Sequence, residues 1–138
     1  AVLTRYLEQV RDAVLTCSQT STVDPSRLNI SFGLVYSNNV WEDSYDTFVY
    51  SNANVVRGLR DAASIFNALG LGAERDDAQA RADNIKNALD ARLDWDGENT
   101  DVSQLGIVYP FNVYNPTDFR AQRLIERLLT VAPDRRLT

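Results

Sequence analysis

Three adjacent side chains, Trp41, Glu42 and Asp43, are the part of this sequence whose types and spacing suit acid–base chemistry. A polar segment, 37–39, leads into them, and we predict that they lie at the mouth of a helix. Backbone N–H groups and the helix dipole favour a charged carboxylate there, whereas an indole neighbour excludes water and favours the neutral form. Which influence dominates decides whether Glu42 can act as an acid at neutral pH.

The composition limits which chemistry is available. The 138 residues carry a formal net charge of −5, and Lys86 is the only lysine, which argues against nucleic acid or an anionic membrane as partner. No His is present and Cys17 is the only cysteine, so zinc sites, catalytic triads and an internal disulfide are not expected. Catalysis must then depend on Asp, Glu, Tyr, Arg or Cys. We predict no metal and no cofactor, and we expect Cys17 to be packed on an apolar helix face.

Helical periodicity dominates the chain. Apolar residues recur every three or four positions over 2–17, which predicts one buried helical face. A second helix is predicted over 47–70, with Gly70 as its C′ residue and Gly58 where a neighbouring helix comes close. A third helix, over 74–93, has acidic residues in its first turn, where the helix dipole favours them. Its apolar stripe is narrow: Ala78, Ala82, Ile85, Leu89 and Leu93.

The widths of these apolar stripes predict where the helices lie. The helix over 47–70 is apolar or small around much of its circumference and should be central, whereas the one-sided helix over 74–93 should be an outer one. Helices joined by short loops form antiparallel pairs, which close as a small bundle or contribute to a larger ring of helical hairpins. The broad apolar surface of the central helix favours the larger assembly.

The remaining segments are less regular. Residues 28–36 alternate like a strand, but no second alternating run lies close by, so we predict an irregular, partly buried connector. A short buried helix is predicted from Asp101, as N-cap, to about Tyr109. The last helix is predicted to start at 115–118 and run to about Val131. Its inward-facing residues should be Phe119, Leu124, Ile125, Leu128 and Leu129.

Taken in order, these motifs resemble those of the glucoamylase family, glycoside hydrolase family fifteen. The motif Trp41-Glu42-Asp43 precedes a helix that continues from Tyr45 to Leu59. It is followed by Asp101-Val-Ser-Gln-Leu-Gly-Ile-Val-Tyr-Pro-Phe and then by Asn115-Pro-Thr-Asp-Phe-Arg120. Each motif is short, but the ordered set covers nearly all of the chain from Trp41 onward.

The resemblance implies an all-α fold in which helical hairpins form part of an α/α toroid, two concentric rings of helices with the active site at the mouth of the inner ring. It implies inverting hydrolysis that releases glucose from α-glucans or α-glucosides. Glu42 matches the general acid, Trp41 a wall of the sugar subsite, and Asp43 a position that holds sugar hydroxyls, where the family often has Glu. Tyr45 is expected to line the same cleft. The implied partners are an oligosaccharide substrate and the remainder of the toroid.

The chain departs from the family in two respects. An inverting enzyme needs a second carboxylate roughly 6.5–9.5 Å from the acid to activate water. The family's general base lies far beyond the acid in sequence, and nothing after Asp118 resembles it. The family's catalytic domain is also much longer than 138 residues. We therefore expect residues 1–138 to form a single partial toroid domain, a fragment that holds the acid and lacks the base.

Structural explanations exist for every candidate. Acidic side chains at a solvated helix start need no chemistry, Trp41 can be a packing aromatic, and Asp101 can be a helix cap. Three tyrosines near the helix start can line a cleft or simply pack: Tyr36, Tyr45 and Tyr50. The alternative function is a non-catalytic helical-hairpin scaffold that binds a protein or a saccharide.

Overall fold

A computed structural model describes residues 2–20, 33–38, 45–94 and 102–130. The all-α class is confirmed over these ranges, where helices predominate and extended pairing is confined to very short segments. None of the described helices is long and apolar enough to cross a membrane. The helices are α1 (Val2–Arg5), α2 (Leu7–Cys17), α3 (Val49–Ala68), α4 (Gly72–Asp94), a 3-10 helix (Val102–Ile107) and α5 (Phe119–Thr130); the strands are β1 (Ser37–Asn38) and β2 (Tyr45–Asp46).

A hairpin of α3 and α4 forms the centre of the described structure. The chain reverses over three residues because Gly70 adopts a left-handed conformation, with φ of 73°. The N–H of Gly70 donates to Asn67 O and that of Leu71 to Phe66 O, at 3.1 and 2.8 Å. This pair of hydrogen bonds is the Schellman motif, which satisfies the last carbonyls of a helix. The predicted role of Gly70 as the C′ residue is confirmed, and α3 lies within two residues of its predicted bounds at both ends.

The two helices of the hairpin bury stripes of different width. At 3.6 residues per turn, the buried residues of α4 cover about a quarter of its circumference and those of α3 about half. The α4 stripe consists of the five residues that the sequence pattern indicated: Ala78, Ala82, Ile85, Leu89 and Leu93. The α3 stripe comprises Val49, Asn52, Ala53, Val56, Leu59, Ala62, Ala63 and Phe66.

The N-terminal helices pack less completely than predicted. A turn at Tyr6 separates α1 from α2, and Val14 is the only hydrophobic residue of α2 that is fully buried. Leu7 and Val10 pack against the core from partly exposed positions. The prediction that Cys17 is packed away was wrong, because its side chain is exposed. Periodicity identified the apolar face, but the described residues cover only part of it.

The chain before α3 forms short antiparallel pairings between extended segments. Ser37 pairs with Asp46 and Asn38 with Tyr45, antiparallel, and Val35 forms an isolated bridge with Thr20. The predicted connector over 28–36 falls partly outside the described residues. In its described end Val35 bridges Thr20, which the sequence did not indicate because a single-residue bridge has no periodicity to recognise.

The C-terminal segment covers one end of the hairpin. The predicted short helix before Pro110 forms as a 3-10 helix, and the Tyr109–Pro110 peptide bond is cis. The last helix, α5, buries Leu124 as predicted, and Leu128 packs at the edge of the core. Two residues expected to face inward do not, since Phe119 is 59% and Leu129 71% exposed. Within the described ranges no other element buries either side chain, and only arginines of α5 itself lie over the Phe119 ring.

Candidate functional site

The acid-bearing motif itself lies outside the described residues. Trp41, Glu42 and Asp43 belong to 39–44, and of Tyr45 only the backbone is described. The described backbone on either side is paired as β1 and β2, so both ends of the 39–44 connection are held together directly before α3. No acidic residue lies in the first turn of α3. The expectation that Trp41, Glu42 and Asp43 lie at the mouth of a helix falls on residues outside the described ranges and stays a prediction.

The buried side-chain amide of Asn52 holds the segment before β1 against α3. The Asn52 side chain accepts a hydrogen bond from Val35 N at 2.7 Å and donates to Val35 O at 3.0 Å and to Phe48 O at 2.9 Å. Asn52 is fully buried, so water does not reach this site. The Asn52 side chain supplies the hydrogen-bond partners that water would otherwise provide to these peptide groups. The segment that leads into 39–44 is thereby fixed to the first turn of α3.

The 3-10 helix packs on the same end of α3 through a close contact at Gly106. A Cβ at Gly106 would lie 2.8 Å from Tyr50 Cδ2 and 3.3 Å from Phe111 Cδ2, so no larger residue fits without movement. The rings of Tyr50 and Phe111 meet edge to face with centroids 5.0 Å apart, a favourable aromatic geometry. Of the three tyrosines considered as cleft residues, Tyr50 is therefore a packing residue.

The hairpin explains why these segments meet. Because α4 runs back alongside α3, the residues after α4 return to the N-terminal end of α3, where β1 and β2 also lie. We call this assembly the α3 mouth; it comprises 35–38, 45–52 and 102–112. The described part of the later motif, 102–111, thus lies at the same end of α3 as the two strands on either side of 39–44.

A polar network anchors the segment between the 3-10 helix and α5. The Tyr114 hydroxyl donates to Asp90 Oδ1, and Lys86 Nζ donates to the same atom at 3.2 Å while lying 4.6 Å from the centre of the Tyr114 ring. Tyr114 is only 2% exposed. Burial raises the pKa of its hydroxyl above the ordinary value, and the hydrogen bond to Asp90 acts in the same direction. Tyr114 therefore remains a neutral donor.

Arginines of α5 extend this network to the end of α4. Arg120 donates to both carboxylate oxygens of Asp94, at 2.9 and 3.0 Å, and Arg123 donates to Asp94 Oδ1 at 3.1 Å. The hydrogen bond from Arg120 lowers the pKa of Asp94 below its ordinary value. A carboxylate held charged by two guanidinium groups is a poor proton donor at neutral pH. We therefore assign Asp94 to anchoring rather than to acid catalysis, while Asp90 anchors Tyr114 and Lys86 through the hydrogen bonds described above.

An apolar groove lies along the middle of α3, away from the α3 mouth. This α2–α3 groove has a volume of about 350 Å³. Asp61, the only acidic side chain among the described residues that line it, is 3.1 Å from Arg57 in an ion pair. Gly58 lies on its floor with no atom within 4 Å of where a Cβ would be, so the neighbouring helix predicted at Gly58 is not found among the described residues. The lining residues are Val10, Ala13, Val14, Cys17, Asn54, Val55, Gly58, Leu59, Asp61, Ala62 and Ile65.

Sequence reasoning missed two residues that shape the α3 mouth. Asn52 is a weak helix former in a helix that is otherwise apolar on this side, which is a signal that its side chain has a specific partner. Gly106 interrupts an apolar run, a pattern that indicates close approach of another group. Asp101, expected to cap the short helix, lies outside the described residues.

Comparisons with known protein families, with curated proteins and with solved structures found no match to this chain.

Proposed function

We propose that this chain is part of the catalytic domain of a glucoamylase-type glycoside hydrolase, which releases glucose from α-glucans or α-glucosides with inversion. The observation that supports the proposal is that the later motif segment and the two strands on either side of 39–44 lie at the same end of α3. There the 102–112 segment packs on Tyr50 through Gly106, and the paired strands that bracket 39–44 lie directly before α3 in the chain. A site built from these motifs needs both at one place.

The proposed architecture is an α/α toroid in which α3 belongs to the inner ring and α4 to the outer ring. An inner helix has neighbours on several sides and an outer helix on one, in agreement with the wide buried stripe of α3 and the narrow one of α4. The α2–α3 groove leaves a further apolar side of α3 open, and in the complete toroid other helices would pack there.

In the proposed reaction Glu42 protonates the bridging oxygen of the glycosidic bond as that bond breaks. A second carboxylate, from outside this chain, removes a proton from water, which attacks the anomeric carbon from the opposite face. Trp41 forms a wall of the glucose subsite, Asp43 holds sugar hydroxyls and Tyr45 lines the cleft. The proton donor must be protonated at the working pH, and burial against an indole ring raises a carboxyl pKa in the required direction.

Replacement of Glu42 tests the assignment of the acid. In the complete protein, Glu42→Gln preserves size and shape but removes the transferable proton, so glucose release from maltooligosaccharides should fall at least about 100-fold. Glu126→Gln is the matched control, since Glu126 is exposed on α5, and it should retain full activity. Circular dichroism should show the same helix content for both variants. Unchanged activity of Glu42→Gln would show that Glu42 is not the general acid.

The alternative function is a helical scaffold that binds a saccharide or a protein without chemistry. The observation that favours it is the open apolar α2–α3 groove, a surface that suits a partner rather than a glucose unit. If the complete protein binds maltooligosaccharides but never hydrolyses them, or binds none, this alternative replaces the hydrolase.

A further inference from the structure

The turn that follows the 3-10 helix sends one aromatic ring inward and another outward. Phe111 packs against Tyr50 in the α3 mouth, whereas Tyr109 is 82% exposed. Tyr109 is the most exposed large hydrophobic side chain among the described residues. We propose that Tyr109 is a stacking platform for the oligosaccharide at the α3 mouth, an inference that rests on the proposed hydrolase function.

The backbone that carries Tyr109 is held in place from both sides. Tyr109 N donates to Leu105 O at 3.1 Å, Phe111 N to Gly106 O at 3.2 Å and Asn112 N to Val108 O at 3.2 Å. Farther along, the N–H groups of 113 and 114 both donate to the carbonyl of 107 at 2.9 Å. A ring presented on a fixed backbone loses little conformational entropy when a ligand binds, and such preorganisation favours binding.

Packing beneath the turn adds to this rigidity. Phe111 and Tyr50 leave no room for a side chain at Gly106, so the 3-10 helix and the turn cannot slide along α3 without losing that contact. Tyr114 anchors the other end of the turn to Asp90 of α4. The position of Tyr109 is therefore set by buried contacts on both sides, although its own ring is in solvent.

The chemistry around Tyr109 suits a sugar. One face of a glucose ring presents C–H groups that pack on an aromatic ring, while its hydroxyls need hydrogen-bond partners beside that ring. The exposed Asn112 supplies an amide that both donates and accepts. Its φ of 53° lies in the left-handed region, which non-glycine residues adopt at a cost and which Asn tolerates better than most. The turn therefore carries both an exposed aromatic ring and an exposed amide.

Substitution of Tyr109 in the complete protein tests this inference. For maltopentaose, Tyr109→Ala should raise KM by about tenfold with little change in kcat, since stacking of this kind contributes roughly what a tenfold change in affinity requires. Tyr109→Phe keeps the ring and should stay close to wild type. Tyr6→Ala is the matched control, because Tyr6 is also exposed but lies at the α1–α2 turn. A KM for Tyr109→Ala within twofold of wild type would overturn the proposal.

A second measurement does not depend on turnover or on the alanine variant folding. Tyr109→Trp, combined with Glu42→Gln to prevent hydrolysis, places an indole on the turn. Its fluorescence should change on addition of maltopentaose and reach half of its full change at the concentration that half-saturates binding; absence of any change while maltopentaose binds would overturn the platform.

The two proposals fail in different ways. A wild-type protein that hydrolyses maltopentaose, with an inactive Glu42→Gln and an unaltered Tyr109→Ala, would reject the platform alone. A wild-type protein that neither binds nor hydrolyses maltooligosaccharides would reject both.

Discussion

The α3–α4 hairpin and the packing of α2 against it are held together in different ways. Between α3 and α4 the contact is apolar and continuous, with five fully or nearly fully buried residues along α4. Of the residues of α2, only Val14 is buried, and an open groove remains between α2 and α3. Polar contacts instead connect α2 to α4: Arg11 donates to both oxygens of Glu74 at 2.7 Å, and Arg81 donates to Ser18 Oγ at 2.9 Å. The hairpin is therefore held by a continuous apolar contact, whereas α2 borders a surface that still has room for a partner.

The largest effect is expected from a cavity in the hairpin. Leu89 is fully buried, so Leu89→Ala should lower the free energy of unfolding by about 2–5 kcal/mol, from lost burial and the cavity left behind. Leu129→Ala is the matched control, because Leu129 is exposed on α5, and it should change the free energy by no more than about 0.5 kcal/mol. Urea denaturation measures both. Equal losses for the two variants would contradict the hairpin as the stable unit.

A smaller effect on the free energy of unfolding, an increase rather than a loss, is expected from a substitution in the α2–α3 groove. In the isolated 138-residue chain, Gly58→Ala should raise the free energy of unfolding by about 0.5–1 kcal/mol, because alanine favours the helix and its Cβ meets no atom within 4 Å. In the complete protein, a helix packed on the groove would leave no space for the methyl group, and the same change should be neutral or destabilising. Thermal denaturation of both proteins decides this. An equal gain in both would mean that the groove stays open, and it would count against the toroid.

The smallest effect is expected at the ion pair between α2 and α4, and it depends on pH. The hydrogen bonds from Arg11 lower the pKa of Glu74 below its ordinary value. A lowered carboxyl pKa in the folded state gives stability that is present above the ordinary pKa near 4.3 and is lost as pH falls through the lowered value. The urea midpoint of wild type should therefore fall more between pH 7 and pH 3 than that of Glu74→Gln. Glu126→Gln, as control, should follow wild type; parallel curves for all three proteins would show that the pair contributes nothing.

The sequence predicted the hairpin better than its surroundings. The stripe along α4 and the turn at Gly70 follow from local pattern and backbone conformation, and both were found. The exposure of Cys17, Phe119 and Leu129 was not predicted, because periodicity shows which face is apolar and not whether another segment covers it.

The same limit applies to the α3 mouth. The family resemblance directed attention to Glu42 and to the later Asp101 motif. Two contacts bring the flanking segments together: the hydrogen bonds between Asn52 and Val35, and the close packing of Gly106 against Tyr50. Both join residues that are distant in sequence. Such contacts have no local periodicity, and they become visible only when the chain is folded.

The anomeric form of the first product tests the central claim most directly. Proton NMR of maltotriose hydrolysis by the complete protein, recorded within the first minutes, distinguishes β-glucose from α-glucose before mutarotation mixes them. Inverting attack by water on an α-linkage gives β-glucose first, and the proposed roles of Glu42 and a distant base predict that result. Release of α-glucose first, or no glucose at all, would contradict it.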